Sequence, residues 1–313
     1  MPKVLTPSQE LKLIRSELKH VGKERRQRLY LDTGNPYLHS IFGNPDLGIL
    51  YGLLIEFFGA ESVGKSAIAS DIMAAAQADG AYGIWVDAER SLNPEWQETR
   101  GVDMSKLCWI EPYLGKFSSD KKDKQFKNKI RMSSAQELLT EAEAYVERIR
   151  EKVKNPKFFM VVDSVTSLLT IDEMRAGIAG QNMRTKLSLP QFLGQLLRRW
   201  VGWCAATNTT AIFINQVRVN PNALFGNPEY EPGGKALKFY CHVRSGIRRG
   251  KGGRIMQSGR QTGIQGFIKN RKNKAGGLEQ IQVGYKIEFK GISDFMDQKE
   301  IRKALGDRLD SDE

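Results

Sequence analysis

The amino-acid sequence predicts an α/β protein with a mostly parallel central sheet, and three features lead to that prediction. Apolar segments of strand length alternate along the chain with segments rich in helix-forming residues. A glycine-containing loop, residues 59–66, joins the first strong strand to the first strong helix. A later apolar segment, Phe158–Val162, ends directly at the carboxylate of Asp163. Such alternation is typical of a parallel sheet covered by helices on both faces.

Eight segments have the composition of strands, and three have the length and composition of helices. The predicted strands are Leu53–Phe58, Ala81–Val86, Leu107–Glu111, Phe158–Val162, Ala211–Asn215, Lys238–Ile247, Gly263–Ile268 and Ile281–Phe289. The predicted helices are Lys65–Ala78, Ala135–Val153 and Phe192–Ala206. The last three strands follow one another without a predicted helix between them, so we expect them to form hairpins.

Three regions are expected along the chain. Residues 1–31 are predicted to be a helical arm outside the core, because apolar residues repeat at helical spacing within the basic segment Ser8–Tyr30. Residues 32–290 are predicted to form the α/β core, and residues 291–313 a short helix with an acidic tail. Within the core, Lys116–Arg131 is rich in lysine and poor in apolar residues, which predicts a solvent-exposed insertion.

The composition is that of a soluble globular protein, with 40% hydrophobic and 27% charged residues. No apolar stretch is long enough to span a bilayer, and the N-terminus lacks the apolar core of a signal peptide. We therefore expect a cytoplasmic protein without a membrane partner. Cys108, Cys204 and Cys241 lie far apart without metal-ligand spacing, which favours buried free thiols.

Positive charge is concentrated in one segment of the chain. The whole sequence has 48 Lys and Arg against 36 Asp and Glu, a net charge of +12. The stretch from Pro232 to Leu278 contains twelve Lys and Arg and no acidic residue, so it accounts for the entire surplus. Such a segment favours a polyanionic partner, of which nucleic acid is the commonest. For any single residue, the alternatives are a solvated surface, nucleotide phosphates or another subunit.

Residues 59–66 have the complete pattern of a phosphate-binding loop, G-x-x-x-x-G-K-[ST]. Its members are Gly59, Ala60, Glu61, Ser62, Val63, Gly64, Lys65 and Ser66. The glycines let the backbone curl so that successive N–H groups face phosphate oxygens, and the N-terminus of the next helix adds positive charge. Lys65 is predicted to bind the β- and γ-phosphates of a nucleotide, and the Ser66 hydroxyl to ligate Mg²⁺. The alternative, a chance match, is disfavoured by the strand and helix that flank the loop.

Three polar side chains follow predicted strands and are expected at one edge of the sheet. Asp163 is predicted to hold Mg²⁺ through water. Glu89 is the best candidate to orient or deprotonate the attacking water, with an ordinary surface residue as the alternative. Gln216 is predicted to contact the γ-phosphate and to communicate its presence to the residues that follow. Trp96 is predicted to stack on adenine, or otherwise to belong to the core.

Two segments without helix or strand pattern are expected to leave the same edge. One is residues 170–184, and the other is residues 217–234, which is rich in Asn, Pro and Gly and contains the aromatic Phe225. A γ-phosphate sensor that leads into a flexible loop is typical of a conformational switch. Together with the positive charge, two such loops are expected to line a channel for a nucleic-acid strand.

Six motifs in order resemble the bacterial RecA recombinase family. They are residues 59–66, residues 86–94 (VDAERSLNP), residues 161–165 (VVDSV), residues 213–218 (FINQVR), residues 225–229 (FGNPE) and residues 233–240 (GGKALKFY). The resemblance covers roughly residues 31–289. It implies a RecA-like P-loop NTPase core, with ATP and Mg²⁺ as cofactors, single- and double-stranded DNA as partners, and self-assembly into a helical filament or a ring.

The resemblance also implies roles for individual residues. It assigns catalysis to Lys65, Glu89 and Gln216, and nucleotide contacts to Asn93 and to Trp96, which stands where the family has Tyr. It implies DNA contacts for Met183, Arg184, Arg218, Phe225, Gly226, Asn227, Gly233 and Gly234. It implies contacts to the ATP of a neighbouring subunit for Lys238, Phe239, Lys272 and Lys274, with Lys269–Arg271 as an alternative register of the lysine pair.

The sequence departs from the family pattern in three places. The lysine-rich insertion is foreign to it, Gly276-Gly277-Leu278 replaces an apolar Pro-Phe, and little sequence follows Phe289. We therefore expect a truncated C-terminal region, as in a short recombinase such as a phage enzyme. The leading hypothesis is a DNA-dependent ATPase that acts as a recombinase. The alternatives are a hexameric helicase with a RecA core and a non-catalytic mediator that binds ATP and DNA.

Overall fold

The computed structural model describes Thr6 and residues 28–116, 130–176, 182–219, 229–230, 233–289 and 293–305. Its centre is a nine-stranded sheet. In chain order the strands are β1 Leu54–Gly59, β2 Tyr82–Asp87, β3 Leu107–Ile110, β4 Phe158–Asp163, β5 Thr209–Gln216, β6 Val243–Gln257, β7 Arg260–Asn273, β8 Gln282–Glu288 and β9 Asp294–Met296. Across the sheet they are arranged as β9-β8-β7-β6-β1-β5-β4-β2-β3. Pairing is parallel from β6 to β3 and antiparallel from β9 to β6, which confirms the predicted α/β class.

Helices and short hairpins surround this sheet. The helices are α1 Pro36–Phe42, α2 Lys65–Ala78, α3 Pro94–Thr99, α4 Ala135–Arg150, α5 Ile171–Ala176, α6 Met183–Lys186, α7 Ser188–Thr207, α8 Ala236–Tyr240 and α9 Gln298–Leu305. Two short 3₁₀ turns occur at Met104–Lys106 and Val165–Ser167. Two-residue strands pair Tyr30–Leu31 with Ile49–Leu50, Leu114–Gly115 with Arg131–Met132, and Arg218–Val219 with Glu229–Tyr230.

Successive residues of the central strands enter two hydrophobic cores, one on each face of the sheet. On β1, Ile55 and Phe57 pack in the core that contains α2, whereas Leu54 packs in the core that contains α4 and α7. All six residues of β4 are buried, because a parallel strand at the centre of a sheet is covered on both sides. In β2, β4 and β5 the carboxylate and amide side chains lie at or next to the strand ends, which places Asp87, Asp163 and Gln216 at one edge of the sheet, whereas β1 has Glu56 in its interior.

The three predicted helices are confirmed with small changes at their ends. Helix α2 has the predicted bounds, α4 ends at Arg150 rather than Val153, and α7 begins four residues earlier than predicted, at Ser188. The start of α4 was predictable because Ser134 and Glu137 form a reciprocal cap: Glu137 Oε2 accepts the Ser134 N–H at 2.8 Å and Ser134 Oγ accepts the Glu137 N–H at 3.4 Å.

The predicted strand Lys238–Ile247 is wrong in its first half. Its first residues belong to α8, and β6 begins only at Val243. Gly233 and Gly234 precede α8 with φ angles of +87° and +74°, which side chains with a Cβ rarely adopt. This turn directs Leu237, which is 1% exposed, into the core, so burial decided the local structure there.

The segment 170–184 was predicted to lack helix and in fact contains α5 and the first residues of α6. Thr170 and Glu173 cap α5 reciprocally, since Glu173 Oε2 accepts the Thr170 N–H at 2.8 Å and Thr170 Oγ1 accepts the Glu173 N–H at 3.3 Å. This T-x-x-E spacing is present in the sequence and would have predicted the helix. Residues 177–181 lie outside the described part.

Most of the predicted arm, residues 1–31, lies outside the described residues, and the helix at 8–30 stays a prediction except at its end, where Tyr30 belongs to a strand. The boundaries 32–290 and 291–313 also stay predictions. Residues 117–129 of the insertion lie outside the described part. Its last residue, Arg131, is buried and pairs with Glu137 at 2.7 Å, so counting Arg131 among the exposed charges was wrong.

No helix in the described parts of the chain is long and apolar enough to cross a membrane. All three cysteines are free thiols, as predicted; Cys204 and Cys241 are also buried as predicted, whereas Cys108 is only partly buried. Burial raises the pKa of the Cys108 thiol to about 11, so we expect it to be unreactive at neutral pH.

Candidate functional site

The loop at residues 59–66 connects β1 to α2 and has the curled backbone that anion binding requires. Ser62 and Gly64 have φ angles of +57° and +93°, which turn consecutive N–H groups toward one side. A Cβ at Gly64 would lie 2.4 Å from the Cδ1 of Ile287, so the end of that side chain would have to move to accommodate it. The loop therefore packs closely against Ile287 of β8.

The ends of the parallel strands bring together the polar residues predicted from the sequence. Asp163 is the last residue of β4, Glu89 follows β2 by two residues, and Gln216 is the last residue of β5. Strands that run in parallel end at the same edge of a sheet, so three separate segments meet beside Lys65 and Ser66. All five side chains line one cleft of about 620 Å³.

Direct hydrogen bonds connect these side chains in two groups. Ser66 Oγ donates to Asp163 Oδ2 at 2.7 Å. Glu89 Oε1 accepts from Gln216 Nε2 at 2.8 Å and also from the hydroxyl of Ser164. The first pair is the donor set that a hard cation prefers, and the second joins the predicted water-activating carboxylate to the predicted phosphate sensor.

Lys65 is held back against its own loop. Its ammonium donates to the carbonyl oxygens of Gly59 at 3.1 Å and Ala60 at 2.6 Å, and its side chain is buried. Burial lowers the pKa of Lys65 to about 8. Burial also raises the pKa of Asp163 to about 6, while the Ser66 hydrogen bond acts in the opposite direction. Both groups would be brought back toward their charged forms by a ligand of opposite charge.

We expect anion binding to take up a proton at alkaline pH. Below pH 8 Lys65 is already charged, whereas above pH 8 the neutral amine must be protonated before it pairs with phosphate, so the affinity for magnesium tripolyphosphate should fall about tenfold per pH unit above 8. Calorimetry in buffers of different ionisation enthalpy should show an uptake of about one proton at pH 9 and little at pH 7. The variant Lys65→Arg, which stays charged, should lose the uptake. Equal affinity at pH 7 and pH 9 would contradict the assignment.

Asp87 supports the segment that carries Glu89. It is fully buried at the end of β2, and its two carboxylate oxygens accept the N–H groups of Ser91 and Leu92, each at 3.0 Å. The loop after β2 is thereby fixed, and Glu89 is directed to the sheet edge. The aspartate of the D-A-E run therefore has a structural role that the sequence analysis did not assign.

Trp96 is the third residue of α3; it lines the cleft and is half-buried. The side chain of Asn93 caps this helix, since Asn93 Oδ1 accepts the Trp96 N–H at 2.9 Å. In this structure Asn93 therefore orients Trp96, and its direct contact to a nucleotide stays a prediction.

The other side of the cleft comes from residues that the sequence analysis missed. Phe289, 49% exposed, stands just after β8, and Ile264 and Ile287 lie beside it. Arg249 and Arg254 of β6 also line the cleft. An aromatic residue at the end of a predicted strand was a usable signal for Phe289, whereas the position of Arg249 and Arg254 depends on the pairing of β6 with β1, which is distant in the sequence.

A buried ionic group lies directly behind Gln216. Glu56 of β1 is 0% exposed, and its carboxylate accepts from Arg244 Nε at 2.5 Å and from Asn215 Nδ2 at 3.0 Å. These bonds connect β6, β1 and β5 across the sheet. They fix the residue that precedes Gln216, and so the direction in which Gln216 leaves the strand.

Removing Arg244 is expected to destabilise the fold strongly. The variant Arg244→Met leaves the Glu56 carboxylate buried without that guanidinium, and the free energy of unfolding should fall by about 3–5 kcal/mol in urea titrations. The control Lys106→Ala breaks an exposed pair with Asp103, whose side chains are 66% and 38% exposed, and should cost less than about 1 kcal/mol. Equal losses in the free energy of unfolding for the two variants would show that the buried pair contributes no more to stability than the exposed one.

Several predicted residues lie elsewhere. Lys272 Nζ donates to the carbonyl oxygens of Lys238 and Phe239, both at 3.0 Å, and the side chain of Phe239 is 72% exposed. None of Lys238, Phe239, Lys272 and Lys274 lines the cleft. Their predicted contact with a neighbouring subunit stays a prediction.

The predicted DNA-binding residues are only partly described. Met183 is 75% exposed at the start of α6, and Gly233 and Gly234 form the turn before α8. For Arg184 and Arg218 the structure describes the backbone alone, and Phe225, Gly226 and Asn227 lie outside the described residues. The DNA-binding assignments therefore stay predictions.

Together, the parallel sheet, the curled loop before α2 and the polar strand ends define a P-loop core of the RecA-like type. The model of the RecA N-terminal domain family matches residues 14–133 and 143–291, and the chain belongs to the RecA family. The protein is similar to Protein RecA from Staphylococcus aureus strains JH9, Newman and Mu50, with 35% identity over 224 residues in each case. The matched region is 71% of this chain and 55% of each relative, so the chain spans about half the length of the curated relatives it matches.

Proposed function

We propose that this protein is an ATP-dependent DNA recombinase that polymerises on single-stranded DNA and promotes homologous pairing and strand exchange. Membership of the RecA family supports the proposal. The observation that carries it is the hydrogen bond between Glu89 and Gln216 beside the phosphate loop. It links the predicted hydrolytic group to the strand that leads into the predicted DNA-binding loop, as a DNA-dependent ATPase requires.

The cleft has the features needed to hold ATP with Mg²⁺. The curled loop and Lys65 bind the triphosphate, and Trp96 and Phe289 enclose the base from two sides. The Ser66 hydroxyl and the Asp163 carboxylate, already in contact at 2.7 Å, fit the oxygen ligands of Mg²⁺. When bound, Mg²⁺ neutralises charge on the β- and γ-phosphates. The cleft is therefore suited to a purine nucleoside triphosphate.

Hydrolysis in this proposal depends on how Glu89 is held. Its carboxylate accepts a proton from the attacking water or orients that water toward the γ-phosphate. The hydrogen bond from Gln216 Nε2 occupies one oxygen of Glu89, so movement of Gln216 toward the γ-phosphate changes the availability of the base. DNA bound by the segment that follows β5 also acts on Gln216. ATP state and DNA binding are thus coupled through one side chain.

DNA binding is assigned to the two segments that leave this edge and to the surplus of positive charge. Met183 and Arg184 end the first segment, Arg218 lies at the start of the second, and Phe225, Gly226, Asn227, Gly233 and Gly234 also belong to the second. Lysines and arginines supply phosphate contacts, and an aromatic residue supplies stacking for bases. A neighbouring subunit places Lys272 and Lys274 near the γ-phosphate, so the complete site forms in the assembly.

Electron microscopy tests the proposal directly. The protein with single-stranded DNA should form regular filaments when a non-hydrolysable ATP analogue is present and should not form them without nucleotide. Joint molecules should appear on adding homologous duplex. Rings that unwind a forked duplex without joint molecules would indicate a helicase instead. Binding of ATP and DNA without DNA-stimulated phosphate release would indicate a mediator.

A further inference from the structure

A buried arginine lies behind the cleft and is not part of the loop motif. Arg100, which follows α3, is 0% exposed. Its Nη2 donates to both carboxylate oxygens of Asp71, at 2.6 and 2.5 Å, and to Ser293 Oγ at 2.6 Å. Its Nε donates to the carbonyl oxygen of Ala67 at 3.2 Å. One guanidinium therefore joins α3 to two other parts of the chain that are distant in sequence, α2 and the segment at Ser293.

Of these residues, Ala67 itself lines the cleft. Ala67 and Asp71 belong to α2, the helix that begins at the phosphate loop. Ser293 lies four residues after Phe289, at the start of the last stretch of the sheet. The Arg100 guanidinium carbon also lies 5.1 Å from the centre of the Trp96 ring. Helix α2, the Trp96 ring and Ser293 thus converge on one side chain.

A guanidinium is well suited to fix such an arrangement. It is planar, always charged and donates in several directions at once, and it stacks on an aromatic face. A buried ion pair contributes little net stability, because desolvation offsets attraction, but breaking it on one side is costly. The Arg100 and Asp71 side chains are therefore expected to stay in place. The stacking contact with Arg100 then sets the distance of the Trp96 ring from α2.

We propose that Arg100 is the positioning residue of a nucleobase subsite, where, held by Asp71 of α2 and by Ser293, it sets the Trp96 ring relative to the phosphate loop. The inference rests on the proposed function, since it requires that the cleft binds a nucleoside triphosphate. It goes further by assigning base recognition to a contact between α2, α3 and the segment after β8. A purine triphosphate is the expected ligand, because its base offers the larger face to stack.

The test compares ATP with inorganic tripolyphosphate, which has no base, both with Mg²⁺ and both measured by calorimetry. In the double variant Arg100→Leu/Asp71→Asn both charges are removed together, so that no unpaired charge is left in the core. We expect its affinity for ATP to fall about tenfold and its affinity for tripolyphosphate to change less than about twofold. The control Asp103→Asn/Lys106→Ala removes an exposed ion pair that, like Arg100, follows α3. This variant should bind both ligands as the wild type does.

A double-mutant cycle with Trp96→Ala separates positioning from general stability. If Arg100 acts through Trp96, adding Arg100→Leu/Asp71→Asn to the Trp96→Ala variant should lower its affinity for ATP little further. Equal losses for ATP and tripolyphosphate, no loss for either, or losses that add in the Trp96→Ala background would each overturn the inference. A wild-type protein that binds tripolyphosphate as well as ATP would also overturn it. A wild-type protein that binds neither ligand would instead contradict the proposed function.

Discussion

Replacing Lys65 by alanine is expected to reduce DNA-stimulated ATP hydrolysis by about 10²–10³-fold and to abolish nucleotide-dependent filaments. The ammonium of Lys65 is the one predicted cation inside the phosphate loop itself, and it is already buried beside the carbonyl oxygens of Gly59 and Ala60. A phosphate that enters the loop replaces those carbonyls as its partner. Without Lys65, charge that develops on the transferred phosphoryl group loses a stabilising contact made in a partly dehydrated cleft.

The measurement is phosphate release with and without single-stranded DNA, together with sedimentation of filaments. The matched control is Lys157→Ala, because Lys157 also donates to a backbone carbonyl, that of Asp79 at the far end of α2, but has no contact with the loop. The control should hydrolyse ATP within a factor of about two of the wild type. Normal hydrolysis by the Lys65→Ala variant would show that residues 59–66 are not the phosphate site.

The substitution Glu89→Gln is expected to lower hydrolysis by about 10²–10⁴-fold while ATP binding is retained. Glutamine has the same shape, and its carbonyl oxygen can accept the hydrogen bonds that Glu89 Oε1 accepts from Gln216 and Ser164. The fold and the switch contact are thus preserved, and only the base is lost. Filaments assembled with ATP should therefore persist, since the step that releases them is blocked.

Single-turnover phosphate release measures the chemical step, and electron microscopy after dilution measures the persistence of filaments. Glu95→Gln changes a carboxylate on the exposed surface of α3 and serves as the control. If the Glu89→Gln variant hydrolyses ATP at the normal DNA-stimulated rate, Glu89 does not activate water. Loss of ATP binding in this variant would instead assign Glu89 to binding.

Much of the site was predictable because its signals are local. The phosphate loop requires glycine at turn positions and a lysine at one spacing, so residues 59–66 can be identified without knowledge of the fold. Asp163 follows a fully apolar strand, and parallel strands end at a common edge, so its meeting with Glu89 and Gln216 also follows from the sequence. The bounds of α2 were predictable for the same reason, since the loop determines where the helix begins.

Other features depend on contacts between distant segments. The first three residues of the predicted strand Lys238–Ile247 belong to the helix α8, because Leu237 gains burial that outweighs a weak strand preference. Phe289 was placed at the end of a strand but not at the cleft. The pairing of Arg100 with Asp71, 29 positions apart, has no signal in the sequence.

The sequence by itself determined the chemistry of this protein, because phosphate binding requires particular residue types at particular spacings along one loop and at strand ends. The tertiary structure alone decided how the cleft is closed. The second wall of the cleft comes from β6–β8. The Glu56–Arg244 pair joins β1 to β6, and the Asp71–Arg100 pair joins α2 to the residue after α3, beside Trp96. Such contacts depend on burial and on the fit between side chains from distant segments, so they cannot be predicted from the spacing of residues along the chain.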